Sequence, residues 1–548
     1  MARPARSMMQ TSLMDEHDLS QIESLTMFLS DKVDEDPEKA AGIITAIVGQ
    51  AFGEPPVLTS FTEAAVLTNA GSVLINSGAR TGNGKDLATG EMWMQAVVDS
   101  GFLNDEERES AALYNLANSR LALTDIAYSE ALAGKDYEER IRAVAKHRIS
   151  DKDRLRRARV ELTRAAALTA HPRQKGMRLC NLANALDHSG RWVEAYDAYV
   201  RALDADRENG AAAGNAAVLI ERAIANGWDF DGHLCSLYDH YLRLAKANRA
   251  VTVAVAGERA AAKYDAMEML GSDEPVFEPP HEDEYRDWVT RHRLALIAAL
   301  EGTGRQSGDG RWDAIGLTSV TDVRSSSMAP RIFSILNVLK GDFLVARRLA
   351  FEAEKVLDET GGWHLHDSDT GTYTDTLQYE VHGEAVSKLV LAHRAALDVL
   401  DKTAVAVNDH LEVGDDPTKV WFRKFWFEDR QCTRLREALV AHDGLSTAVL
   451  SLAELALDMA RGGMYEHAQD VRNAGTHRFI TVHQGMSDIE SNLTMQAITL
   501  PGMREACHQS LAVARAAFIY LVALLAVHES RRGQPGEAIV PIVLPDAI

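Results

Sequence analysis

The chain has 548 residues, 46% of them hydrophobic and 25% charged, which leaves room for several packed cores and excludes wholesale disorder. Only 14 prolines interrupt long Ala/Leu/Glu/Arg stretches, and short alternating Val/Ile/Thr runs are scarce, so an all-β protein is excluded. Fifty-eight Lys and Arg against 80 Asp and Glu give a net charge of −22. A field of that sign repels a phosphate backbone and excludes sequence-blind adhesion to nucleic acid over the whole surface.

The first 16 residues read as a flexible N-terminus without the apolar core of a signal peptide. The longest apolar run, Ala516 to Val527, is 12 residues against the roughly 20 that a membrane span needs. Cys180, Cys235, Cys432 and Cys507 are too far apart in sequence for a zinc knuckle or a redox pair. The expectation is a soluble, cytoplasmic protein with no membrane partner and neither metal nor cofactor.

Residues 17–270 carry an internal echo. Asn115-Leu116-Ala117-Asn118 returns as Asn181-Leu182-Ala183-Asn184, Asn215-Ala216-Ala217 follows 34 residues after Asn181, and Asn69-Ala70-Gly71 is a weaker copy. That period, with paired helices, is the one of tetratricopeptide repeats. Leu182, Ala183 and Leu186 fall where a first helix packs, Gly190 at its turn, and Ala195, Tyr199 and Ala202 on a second helix, a face that Ala158, Leu162 and Ala165 repeat one unit earlier. Such helix pairs bury their apolar faces only against their neighbours and build a groove suited to a peptide or protein segment. Within this region Arg140 to Arg178 contains thirteen Lys and Arg against three acids, either a solvated helix face or a docking patch for an anionic partner such as RNA.

Residues 271–317 form a connecting segment. Gly271 to Glu284 is acidic with three prolines, and Gly302 to Gly310 is rich in glycine. The helices of residues 318–532 are of bundle length and lack the 34-residue register: a hairpin over Ile332 to Leu357 turning at Lys340-Gly341-Asp342, a long helix from Gln378 to Leu411, and others over Leu435 to Met459, Tyr465 to His483 and Met503 to Arg531. Residues 533–548 are a tail. The predicted fold class is all-α, a repeat solenoid followed by a helical bundle.

Chemistry concentrates in Arg472-Asn473-Ala474-Gly475-Thr476-His477. A histidine that titrates near neutrality suits proton transfer, a permanently charged guanidinium suits a phosphoryl group, and Asn473 shares the helix face of His477 and can orient the ring or the phosphate. On a regular helix Arg472 and His477 stand about 140° apart around the axis and about 7.5 Å along it, so one copy has difficulty aiming both at one phosphate unless Gly475 kinks or starts the helix. Upstream, Lys419 to Glu437 interleaves Arg423, Lys424, Arg430 and Arg434 with Trp421, Phe422, Phe425, Trp426 and Phe427, a composition shared by single-strand RNA platforms and by ordinary cores. His364, His366, Asp367 and Asp369 have metal-type side chains at close spacing, a pattern more typical of hydrated loops and helix caps.

The segment Arg472 to His477 resembles the R-N-x-x-x-H motif of HEPN-domain ribonucleases. Leu397-Asp398-Val399-Leu400-Asp401-Lys402, Val420 to Trp426, Tyr465 to Ala468, Arg478-Phe479 and Ala526 to Arg532 are similar to the HEPN group that carries N-terminal tetratricopeptide-like repeats. The resemblance covers Thr318 to Arg532. It implies a C-terminal HEPN bundle and a metal-independent endoribonuclease of toxin or phage-defence type, with Arg472, Asn473 and His477 as catalytic residues. It also implies a homodimer whose two motifs face one cleft, and with the basic residues it marks Arg423, Lys424, Arg430, Arg434 and Arg478 as RNA-binding. The repeat half would sense a regulatory partner. The competing reading is a non-catalytic scaffold that binds peptide or protein, with the bundle serving dimerisation.

Overall fold

The computed structural model describes residues 16–33, 35–52, 55–226, 233–272, 283–297, 313–322, 330–362, 372–374, 376–440, 445–485, 491–532 and 537–540. Helices dominate among them, with five short strands, so the all-α class holds. Two compact units are present: Met1–Ala133 with Asp153–Leu179, and Gly134–Lys152 with Cys180–Ile548. Composition changes near residue 270, yet the second unit draws helices from both sides of that point.

In the first unit, helices Phe61–Thr81 and Gly84–Ser100 are antiparallel neighbours around Leu67, Leu74, Trp93, Met94 and Val97. A Cβ at Gly90 would stand 2.6 Å from Ile75 and 3.1 Å from the Gly71 carbonyl, so the echo Asn69-Ala70-Gly71 marks a close helix crossing. Helix Glu106–Leu132 adds Leu113 and Leu116, and helix Lys152–Leu168 buries Ala158, Leu162 and Ala165. Arg159 and Arg178 are buried here, as is Arg148 in the second unit, so part of the basic block is packing rather than surface.

The repeat helices of the second unit explain why asparagine recurs. Asn184 Oδ1 accepts the Tyr199 hydroxyl at 2.7 Å and the Asn215 amide at 2.8 Å, and Asn215 Oδ1 accepts the Tyr264 hydroxyl at 2.6 Å. Each such bond contributes on the order of 1 kcal/mol and fixes the register of neighbouring helices. Gly190, at φ 75°, turns the chain into helix Trp192–Ala205.

The bundle is built on Arg331–Glu359, Glu384–His410, Leu445–Asp458, Glu466–His477 and Leu500–Arg531. Four expectations change. Arg331–Glu359 is one continuous helix, because glycine in a helix costs only about 1 kcal/mol and burial of Leu336, Leu339, Phe343 and Ala346 outweighs Gly341. The region expected helical from Leu435 to Met459 instead holds the short helix Glu437–Val440 and the helix Leu445–Asp458. The helix expected to reach His483 stops at His477, and Phe479–His483 is a strand pairing parallel to Met495–Thr499 and antiparallel to Glu380–Val381; its Ile, Thr and Val favour the extended form. The helix expected from Gln378 accordingly starts at Glu384. Strand Val320–Asp322 pairs with Glu537–Ile539.

Leu500–Arg531 is long and apolar enough to cross a membrane by length and composition, which the uninterrupted-run count missed. Its most apolar 18-residue window is 78% buried inside the protein, and it forms the core against which the other bundle helices pack.

Candidate nuclease site

The motif occupies the last two turns of helix Glu466–His477. Tyr465 occupies the N-cap position, and Arg478, in extended conformation, sends the chain into the strand. Ala468, Val471 and Ala474 face inward, leaving Arg472, Asn473 and Thr476 on the outer side. Gly475 neither kinks nor starts the helix; a Cβ there would lie 3.1 Å from Ile480 and 3.3 Å from Arg394, so glycine lets the motif helix approach Glu384–His410. The regular helix keeps Arg472 and His477 about 140° apart. The backbone of His477 lies within it, while its side chain lies outside the described residues.

Arg472 is the best-defined member. Its Nη2 donates to Asp398 Oδ1 at 2.6 Å and to Asp401 Oδ2 at 2.8 Å. Burial opposes the charge, but the Asp401 and Asp398 carboxylates outweigh it and hold the guanidinium above its ordinary range. Both bonds use one nitrogen. Among the described residues Nε and Nη1 make none, so the N–H groups on these two nitrogens remain for a phosphoryl oxygen, each acting singly, because both two-pronged edges of the guanidinium include the Nη2 that the carboxylates hold. Asn473 is exposed and accepts from Gln469 Nε2 at 3.0 Å.

Asp401 also joins the motif to the basic and aromatic segment, since its Oδ1 accepts the backbone N–H of Phe422 at 2.9 Å. Of that segment's aromatics, Phe422, Phe425, Trp426 and Phe427 are core, whereas Trp421 is 61% exposed. Arg423, Lys424, Arg430 and Arg434 are exposed as well. A cavity of about 360 Å³ between helix Tyr137–Ser150 and residues 433–440 is lined by Arg142, Lys146 and Arg434, with Glu437 beside them. The fold therefore brings the start of the N-terminal basic block to the second basic run. Arg478 is tied to the strand region, donating to Gln496 Oε1 at 3.2 Å and to the Asn492 carbonyl at 3.5 Å. His364, His366, Asp367 and Asp369 lie outside the described residues.

Sequence reasoning assigned no role to Asp398 and Asp401. Their three-residue spacing, which puts both carboxylates on one face of a helix, was the available signal. It also missed His393, the buried histidine that holds the motif helix in place. His393 Nε2 lies 3.0 Å from the Ala468 carbonyl, and its Nδ1 lies 2.8 Å from the Ser510 hydroxyl and 3.1 Å from the Ala506 carbonyl, to which that hydroxyl donates. Burial pushes His393 down to about 4, against the carbonyls of Ala506 and Ala468, which favour the charged ring.

This depressed value has a definite sign. Stability from His393 is complete above its unfolded value of 6.5 and is lost as pH falls from there through about 4, because the unfolded chain takes the proton first; the total is about 3 kcal/mol. Denaturant titrations of His393→Gln should show a shallower fall of unfolding free energy between those two values than wild type. An identical acid branch would remove the assignment.

Residues 323–530 match the family model described as LA2681-like HEPN. No curated protein and no solved structure matches the chain. The C-terminal bundle is thus a HEPN domain, and its motif helix and the Asp398/Asp401 pair both lie inside the matched span.

Proposed function

Taking that HEPN domain as the premise, we propose that the protein is a metal-independent endoribonuclease. The observation that carries this reading is Arg472, inside the matched span, with Nη2 of its guanidinium fixed by Asp398 and Asp401 and the N–H groups of Nε and Nη1 left for a ligand. Asp401, which holds Arg472, also accepts the backbone N–H of Phe422, whose chain neighbours Trp421, Arg423 and Lys424 are exposed.

In the proposed reaction His477 removes the proton of a ribose 2′-OH, whose oxygen attacks the adjacent phosphorus. The 5′-oxygen leaves and takes a proton from solvent water, to which the His477 ring returns the proton it removed, and the products carry a 2′,3′-cyclic phosphate and a 5′-hydroxyl. Arg472 offsets the charge that builds on the phosphoryl oxygens, and Asn473 orients the ring or the phosphate. A regular helix does not aim Arg472 and His477 at one point, so two protomers contribute to one cleft. Arg423, Lys424, Arg430, Arg434 and Arg478 are the proposed RNA-binding set. The repeat half binds the partner that controls a toxin or defence effector.

Labelled RNA incubated with the protein in EDTA should be cut and leave cyclic phosphate ends; intact RNA, or cutting only with added magnesium, would reject the reading. Trp421→Ala should weaken single-strand RNA binding by about 1–3 kcal/mol with little change in salt dependence. Arg423→Ala and Lys424→Ala should each lower the slope of log K against log salt by about 0.7 per phosphate contact removed. Equal slopes in filter-binding assays would take those residues out of the interface.

A second reading has one observation in its favour. Two carboxylates on Arg472 repel phosphate, as suits a HEPN domain that dimerises or holds RNA without cutting it. Binding with no cleavage by freshly purified protein distinguishes it.

A further inference from the structure

Among the described residues two groups of His and Glu bring their donor atoms to within 4.8 Å of one another: His292 with Glu354 and His508, and His410 with His528 and Glu529. The two differ in what already surrounds the carboxylate. Glu529 Oε2 accepts the backbone N–H of Thr321 at 2.6 Å, and its Oε1 faces Arg532 Nη1 at 3.3 Å. A fixed guanidinium there takes the place a cation would need.

Glu354 has no such occupant. It is buried on helix Arg331–Glu359, its Oε2 accepts the indole N–H of Trp288 at 2.9 Å, and its Oε1 faces His508 Nε2. His508 projects from helix Leu500–Arg531, and His292 caps helix Glu284–Arg291. The two imidazole rings lie 4.2 Å apart between centroids.

We propose that His292, Glu354 and His508 bind a divalent transition-metal ion, with zinc as the best fit. Two imidazoles and one carboxylate are a borderline donor set that suits zinc and disfavours calcium and magnesium, which take oxygen ligands. Bonds of about 2.0–2.2 Å around a tetrahedral ion place donor atoms roughly 3.3–3.6 Å apart. The three donor atoms lie within 4.8 Å of one another, His508 Nε2 and Glu354 Oε1 already in hydrogen-bond contact, so seating the ion replaces that contact and requires side-chain rotation. His508 keeps 26% of its side chain exposed, which leaves the fourth position to water. The Trp288 indole fixes the carboxylate from outside, as partners of metal-bound carboxylates do. The ion ties the Glu284–Arg291 helix, which follows the acidic connecting segment, to two long bundle helices. This site is independent of the ribonuclease reading and is tested without RNA.

The test uses the full chain, stripped with chelator and dialysed. Zinc titrated by calorimetry, and cobalt(II) followed by its visible spectrum, should each saturate at one ion per chain, the cobalt form with the bands of a tetrahedral nitrogen and oxygen site. His508→Asn and His292→Asn should weaken zinc at least about tenfold, the usual scale for loss of one ligand or its partner, and should remove the rise in unfolding temperature that zinc gives wild type. His410→Asn should leave zinc binding unchanged. Wild type that takes up no stoichiometric zinc overturns the proposal, and so does zinc binding unaffected in both His variants. Because Glu354→Gln disturbs Trp288 as well, His292→Asn, at a helix cap, decides if the buried variants fail to fold by circular dichroism.

Discussion

On the proposed ribonuclease reading, Arg472→Ala and His477→Ala should each lower RNA cleavage at least about a hundredfold, the usual scale for one charge-stabilising donor or one acid–base group. Unfolding temperature should move little, since helix Glu466–His477 is held through Ala468, Val471 and Ala474, and the carboxylates that Arg472→Ala leaves behind, 56% exposed at Asp398 and 25% at Asp401, stay open to water. Mixing the two dead variants tests the dimer. If the shared cleft holds two centres, each taking Arg472 from one protomer and His477 from its partner, half the dimers formed by exchange regain one of their two centres. About a quarter of wild-type activity should therefore return, as two-fold symmetry dictates. No recovery, with exchange verified by light scattering and mass analysis, means that the site is completed within one chain. Variants that cut as fast as wild type end the ribonuclease reading.

The second large effect lies at Arg191. This side chain is fully buried at the start of repeat helix Trp192–Ala205 and bonds Glu194 Oε2 through Nε at 2.8 Å, Asp458 through Nη1, and the Tyr465 hydroxyl through Nη2 at 3.2 Å. Tyr465 donates to Glu194, and so does Tyr520 at 3.2 Å. Arg191→Ala leaves two buried carboxylates without their cation and should cost about 3–5 kcal/mol, the scale for breaking a buried pair on one side. Desolvation of the arginine is offset by Glu194 and Asp458, which hold it protonated well above its ordinary range. Replacing Arg191, Glu194 and Asp458 together with Met, Leu and Leu should recover much of the loss, because removing every charge removes the uncompensated burial. Chemical denaturation measures both; equal destabilisation by the single and triple variants would refute the account.

What the sequence made legible was whatever repeats or clusters locally. The spacing of 34 residues from Asn181 to Asn215 lies on two helices that the structure joins through Asn184 and Asn215, and the motif region came from six adjacent residues. What stayed hidden depends on separation or on marginal propensity. Arg191 and Asp458 are 267 positions apart, and His292, Glu354 and His508 come from three elements. Gly341 looked like a turn because glycine is a poor helix former, but packing overrode a deficit of that size. The strand Phe479–His483 was absorbed into a helix because five residues give periodicity little to act on. Among five aromatics, exposure of Trp421 alone was decided by tertiary packing.

The charged cluster at Arg191 also bears on how the protein can be inherited. The HEPN match begins at residue 323, which invites the view that it is a cassette able to recombine with any upstream partner. Yet Asp458 and Tyr465, inside that match, find their cation and acceptor on the helix that begins at Trp192. A recombination breakpoint at the acidic connector would separate Asp458 from Arg191, its buried ion-pair partner. A chimaera cut there should fold less well unless it carries the Gly190 turn and its helix along or replaces Asp458 at the same time.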